Sequence, residues 1–229
     1  MIKKMLTESD RVIDIGCGNG YTTRLIAPFV SEAVGIDYSV EMINRAMATA
    51  VASQEDLRKP PVTFRICDVL DLTPSTFGLF DLAISERCLI NLASWDEQKR
   101  AIANIASILK PRGSFIFVEG SRQGRARLNE LRESVGLQAM PPVWHNIDFD
   151  ESLLLEYLGQ SFDLEQRLHF GVYDFISRLV HPLIVAPELP KYDSRINEVA
   201  ARLSLHSQEF TDISRVLFLV LRKKSSESP

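Results

Sequence analysis

The sequence predicts an α/β fold built on a mostly parallel sheet, and three observations predict it. Short apolar runs alternate with helical patterns through the first half of the chain, a glycine-rich turn joins the first run to the first helix, and a strongly apolar run lies near the end. Strands that alternate with helices call for right-handed crossovers and so for parallel neighbours.

The elements follow in order. Residues 12–15 form the first strand, and Gly16-Cys17-Gly18-Asn19-Gly20 leads into a helix through Phe29. A second strand covers 33–37, and Ser39 caps a helix to about Ala52. Pro60-Pro61 interrupts the chain before a third strand at 62–66, with Asp68 just beyond it. The fourth strand is 80–84. Ser94-Trp95-Asp96-Glu97 matches a capping box, opening an amphipathic helix to Leu109 that Pro111 and Gly113 stop. A fifth strand covers 114–118. After Glu119 the rhythm changes to an arginine-rich helix over 122–135, a proline turn from Pro141, a strand at 162–170, a short helix within 173–189 and another over 193–205. Residues 216–221 close as a strand, and the serine-rich tail from Lys223 reads as frayed. The expected organisation is a single domain over 1–229, with 121–208 inserted after strand five as a helical, substrate-binding lid.

Composition excludes several classes of function. The 229 residues carry 26 basic and 30 acidic side chains, a net charge of −4, which argues against a general nucleic-acid surface. No apolar run approaches the roughly 20 residues of a membrane span, and the basic start at Met1–Leu6 lacks the apolar region of a signal peptide. Cys17, Cys67 and Cys88 are scattered, and His145, His169, His181 and His206 show no ligand spacing. Neither a disulfide framework nor a metal site is expected, and reduced thiols point to the cytoplasm.

The strongest chemical signal is Asp14-Ile15-Gly16-Cys17-Gly18-Asn19-Gly20. Glycines between a strand and a helix let the backbone approach a ligand closely, and open α/β sheets bind ligands at the carboxyl ends of their strands. The spacing is GxGxG, with Tyr21 where a dinucleotide-binding turn has its third glycine. Asp37, ending the second strand, stands where a ribose-binding carboxylate belongs.

On these residues the chain resembles the class I S-adenosylmethionine-dependent methyltransferases, by motif over residues 8–119. The resemblance implies a Rossmann-like, seven-stranded, mostly parallel sheet with helices on both faces, and S-adenosylmethionine as cofactor. By position, Asp14, Gly16, Cys17, Gly18, Asn19 and Gly20 would lie against its methionine part, with Asp37 on both ribose hydroxyls and Tyr38 and Met42 beside the adenosine. Asp68 would accept from the adenine amino group with Val69 as neighbour, and Ser85, Arg87 and Cys88 would line the methionine end. Residues 109–113 are similar to the family's loop before strand five. Two departures matter. The chain starts only a few residues before the first strand, where many relatives carry a covering helix, so another part of the chain is expected to close the site, with the insertion as the candidate. Residues 86–92 lack the Asn-Pro-Pro-Tyr of enzymes that methylate nucleic-acid amino groups, which turns the expected acceptor away from bases.

On the acceptor side, His145 is the side chain best suited to act as a general base, with packing against Trp144 as the alternative. Glu119 and Glu86, after strands five and four, are the other catalytic candidates, while His169, His181 and His206 read as structural. Asn91, Asn146, Tyr173 and Tyr192 are candidate acceptor contacts. Arg122, Arg125, Arg127 and Arg132 form either a solvated helix surface or, through Arg122 and Arg125 on one face, a clamp for a carboxylate or phosphate. Cys17 and Cys88 are read as lining or buried residues rather than nucleophiles. The expected function is methyl transfer to a small acceptor, anionic if the clamp exists, at oxygen. Nitrogen or protein methylation, a non-catalytic cofactor-binding protein, and a nicotinamide-dependent oxidoreductase are the alternatives; the GxGxG spacing and Asp14 oppose the last.

Overall fold

Five parallel strands and an antiparallel pair make one seven-stranded sheet. The computed structural model describes residues 2–53 and 62–225, so Pro60-Pro61 and the end of the tail lie outside the described residues. The strands are β1 (Arg11–Ile15), β2 (Glu32–Asp37), β3 (Val62–Ile66), β4 (Phe80–Glu86), β5 (Leu109–Gly120), β6 (Phe162–Leu168) and β7 (Val216–Lys223), in the order β3-β2-β1-β4-β5-β7-β6. β1 to β5 run parallel, and β7 lies antiparallel between β5 and β6. The helices are α1 (Tyr21–Ile26), α2 (Val40–Ser53), α3 (Pro74–Phe77), α4 (Trp95–Ile108), α5 (Arg122–Ser134), α6 (Glu151–Leu158), α7 (Gly171–Asp174), α8 (His181–Val185) and α9 (Arg195–Ser204).

Alternate strand residues feed two cores, as the two-residue period of a strand requires. Ile13, Ile15, Phe115, Phe117, Leu217, Leu219 and Leu221 face one side and pack with Ile102 and Ile105 of α4 and Leu154 and Leu158 of α6. Val12, Leu82, Ile84, Ile116, Phe218 and Val220 face the other, against Ile26, Ala27 and Val30. Because both faces are covered, the central strands read as continuous apolar runs rather than as alternating ones.

Side-chain caps open α2, α4, α5 and α6. The Ser39 hydroxyl accepts from the Met42 N–H at 3.3 Å at the head of α2. At α4 the Ser94 hydroxyl accepts from the Glu97 N–H at 3.2 Å, and the Glu97 carboxylate accepts from the N–H of Ala93, one residue earlier than a standard capping box. Two short helices escape sequence reading. α6 hides in a run that reads as generic core, although Asp150 caps it by accepting from the N–H groups of Ser152 and Leu153. α3 is a single turn opened by Pro74.

The stretch 121–208 is not one inserted lid. β6 pairs with β7 at the sheet edge, and α6 packs into the core, so both belong to the scaffold. Two segments remain, α5 with the loop 135–150 after β5, and a helical unit between β6 and β7. β6 runs parallel to β5, so both segments leave the sheet at the edge where β1 to β5 end. In the second unit α7 passes through a π-helical stretch (Phe175–Val180) into α8, and α9 packs alongside. Its base is held by the buried Asp174, which accepts from the backbone N–H and Nε of Arg215, both at 2.9 Å. Among the described residues no helix is long and apolar enough to cross a membrane.

α5 approaches the chain before β7 so closely that a Cβ on Gly124 would overlap the carbonyl oxygen of Ser214. Gly124→Ala should therefore cost about 1–3 kcal/mol of stability by overpacking, read as a lower urea midpoint. An unchanged midpoint would mean that α5 is not seated there.

Candidate active site

The strand order reverses direction between β1 and β4, which places a crevice at their carboxyl ends. The turn after β1 forms its floor. Gly16, Gly18 and Gly20 have φ of +69°, +53° and +74°, backbone that L side chains rarely adopt. Two of them are also needed for packing, since a Cβ on Gly16 would sit 2.5 Å from the Cys88 side chain and one on Gly20 2.5 Å from Phe64. A Cβ on Gly18 would meet nothing within 4 Å, so this backbone is the part of the turn that stays open to a ligand. The turn is tied to β2 by the Cys17 N–H on the Ile36 carbonyl at 2.9 Å, and Asn19 Oδ1 accepts from the Tyr21 N–H at 3.2 Å.

Carboxylates order the rest of this edge. Asp37 is 8% exposed and accepts from the N–H groups of Gly18 and Ser39 at 2.9 and 2.8 Å. Asp14 is buried beneath the turn, accepts from the Thr23 hydroxyl at 2.6 Å, and has its pKa pushed up by burial to about 6. Sequence reading misses Thr23; the signal is a hydroxyl in the first turn of α1, nine residues after Asp14. Asp68 is exposed and accepts from the Leu70 N–H at 2.8 Å, while the neighbouring Val69 is buried. Tyr38 is exposed beside Asp37, and Met42 is half-buried. Burial, helped by Asp14 and Asp37, pushes the Cys17 thiol up to about 12, and burial with Glu119 raises Cys88 as well, so neither is a thiolate nucleophile.

Residues 85–91 take positions that separate the expected roles. Ser85 is buried and donates to Glu119 at 2.6 Å, so its hydroxyl faces the core side of the loop. Glu86 is exposed, with the Thr22 hydroxyl 3.5 Å away across the crevice. Arg87 has φ +53°, and Asn91 Nδ2 donates to its carbonyl at 2.8 Å, which pins the loop on itself. Glu119 needs correction as a catalytic candidate. It is fully buried, and its oxygens accept from Ser85 Oγ and from the N–H groups of Cys88, Leu89 and Ile90 at 2.6 to 3.3 Å. Burial raises its pKa to about 7 against those hydrogen bonds. It positions the loop after β4 rather than facing a reacting atom.

The segment 144–148 hangs on that loop. The Ile147 N–H donates to the Ile90 carbonyl at 2.7 Å, and the buried Gln98 donates to the carbonyls of Leu89 and Ile147 at 3.2 and 2.9 Å. Gln98 also escapes sequence reading, although a glutamine on the apolar face of α4 is the signal. Trp144 and His145 precede this anchor by three and two residues, both exposed, with ring centroids 5.0 Å apart. A cavity of about 420 Å³ next to them is lined by Arg122, Arg125, Asn129, Asn146, Ile147 and Asp148, and the buried Asn146 Oδ1 has no partner there. The arginine clamp is not free at this point. Arg125 is ion-paired with the buried Asp148, and Arg122 lies 3.6 Å from Asp150. Tyr173 and Tyr192 do not join this cavity; their rings lie against Arg178 in the helical unit.

A model of a methyltransferase domain matches residues 6–164. The chain is 25% identical over 109 residues to the uncharacterized methyltransferase YcgJ of Bacillus subtilis, covering 48% of this chain and 40% of that protein. It is 26% identical over 136 residues to a malonyl-[acyl-carrier protein] O-methyltransferase of Anoxybacillus flavithermus, covering 58% and 47%. The chain spans about two-fifths of the length of the curated relatives it matches first. The crystal structure of YcgJ superposes with a TM-score of 0.62 at 18% identity, over 98% of this chain and 97% of that one. The N-methyltransferase NodS of Bradyrhizobium japonicum superposes with 0.57 at 16%, over 95% and 88%. At these identities the superpositions speak for the fold alone.

The buried acids make stability depend on pH. Between 4.5 and about 7 the unfolded chain gives up the Glu119 proton and the folded chain keeps it, so stability falls as pH rises across that window. Asp14 contributes in the same sense between 3.8 and about 6. Glu119→Gln should flatten the upper part of the fall, by a few kcal/mol at most, in urea midpoints taken from pH 5 to pH 7.5. A wild-type slope in the variant would show that this carboxyl is already ionised in the folded protein.

Proposed function

Since the chain belongs to the class I S-adenosylmethionine-dependent methyltransferases, we propose that it moves a methyl group from that cofactor to the oxygen of a small acceptor bearing an anionic group. The observation that carries the cofactor assignment is electrostatic. Each of the first four strands ends on or near a carboxylate, Asp14, Asp37, Asp68 and Glu86 in turn. A ligand with a sulfonium and an ammonium group is stabilised by such an edge. A pyrophosphate would meet the same four acids, and the Gly18 N–H that a turn of this kind can offer to phosphate is already donated to Asp37. This supports a sulfonium cofactor over a nicotinamide dinucleotide.

The residues present fit the cofactor. Gly18 leaves room for close backbone approach. Asp37 accepts one N–H on each oxygen and so keeps lone pairs for two ribose hydroxyls. Asp68 is positioned to accept from an amino group, with Tyr38 and Met42 flanking the base. When bound, the cofactor supplies an activated methyl, so the chain has only to hold, orient and shield the reactants. His145 would accept the proton of the acceptor hydroxyl, and Glu86 would supply negative charge to the cationic end of the cofactor. Asn146 Oδ1 offers an acceptor to a donor group on the substrate. Similarity to a relative named for methyl transfer to oxygen supports that accepting atom.

Calorimetric titration with S-adenosylhomocysteine tests the cofactor half. Asp37→Ala should weaken binding by about 10- to 100-fold, the worth of charge-assisted hydrogen bonds. Equal affinity in the variant, or binding of NAD in its place, would overturn the assignment. His145→Gln should slow labelled methyl transfer into a metabolite extract at least tenfold with S-adenosylhomocysteine affinity unchanged. A wild-type rate would remove His145 as the base.

A further inference from the structure

Arg122 and Arg125 face carboxylates of the chain, but two other arginines do not. Arg132, in the last turn of α5, is 8% exposed; its Nε donates to the Gln138 carbonyl at 2.9 Å and its Nη1 to the carbonyl of Arg178. It meets no carboxylate among the described residues. Arg178, in the π-helical stretch, lies over the rings of Tyr173 and Tyr192, 5.8 and 5.4 Å from their centroids. Its Nε is buried without a partner, and its guanidinium makes no hydrogen bond or ion pair among the described residues. Arg215, the third cation of this cluster, is neutralised by Asp174. Burial, with the charges of Arg178 and Arg215, lowers the Arg132 pKa.

A buried guanidinium N–H without an acceptor is costly, and two neighbouring guanidinium groups repel each other, so folded proteins pair such groups. No carboxylate among the described residues pairs these. We propose that Arg178 and Arg132 form a seat for an oxyanion, a carboxylate or phosphate group carried by the acceptor. The fork of N–H donors on Arg178 meets the two oxygens side by side, the tyrosine rings cover the guanidinium, and Arg132 adds the second charge. The loop 137–147 connects this seat to the crevice, since Gln138 is held by Arg132, Met140 by the Asn129 side chain and Ile147 by Ile90. The anionic class of acceptor rests on the function proposed above, but the seat itself does not.

The test uses the full chain and two probes, inorganic phosphate and acetate, titrated at constant ionic strength and followed by NMR of the arginine Nε–H resonances. The expected result is a saturable shift of the Arg132 Nε–H resonance, a reporter that every variant keeps, and its loss in Arg178→Gln. Arg178→Lys, which keeps the charge and loses the fork, should bind at least tenfold more weakly, and Arg122→Gln should bind as wild type. Tighter binding of phosphate or of acetate identifies the group. Shifts that do not saturate, or that are equal in wild type and Arg178→Lys, overturn the seat. S-adenosylhomocysteine titration of the same samples reports folding and the cofactor reading separately, so either reading can fail without the other.

Discussion

One buried carboxylate sets the geometry of the loop after β4 and of the segment 144–148 that hangs on it. Glu119 ends on the inner face of β5 and gathers the N–H groups of Cys88, Leu89 and Ile90, three consecutive donors that the chain would otherwise leave unpaired as it turns out of β4. That turn then supplies the Ile90 carbonyl to Ile147 and, through Gln98, fixes the loop that carries Trp144, His145 and Asn146. The same turn places Cys88 against Gly16, so the cofactor floor and the acceptor wall share one support.

That support is under tension. Burial drives the Glu119 and Asp14 carboxyls toward their neutral forms, while the hydrogen bonds they accept favour the charged ones. Burial keeps the Cys17 and Cys88 thiols protonated, and the acids around the crevice add to that effect. A negative edge therefore does two things here. It favours a cationic ligand, and it adds to the burial that keeps the two thiols protonated beside it.

Much of the scaffold is legible in the sequence because local and global requirements agree. Strand, glycine turn and capped helix each have a chemical signature at 12–29, and Asp37 and Asp68 are polar residues where apolar strands stop. The acceptor side is less legible because its residues are defined by partners distant in sequence. Arg125 reads as a solvated or ligand-binding arginine until Asp148 closes on it, 23 residues later. Glu119 at a strand end looks catalytic until four donors are seen to converge on it. β6 carries Asp163, Glu165 and Gln166 on an exposed edge strand, so its pattern does not announce a place in the sheet.

The helical unit between β6 and β7 enters and leaves through adjacent strands. Such strands lie about 5 Å apart, and Phe170 and Ser214, the last residues on either side, are hydrogen-bonded at 2.9 Å. A body that joins the sheet at two neighbouring points has one base there, and that base is marked by the buried Asp174–Arg215 pair. It can be exchanged for another length of chain without disturbing strand register. The rim at this edge is thus free to diverge, while the floor formed by the turn after β1 is held by the core.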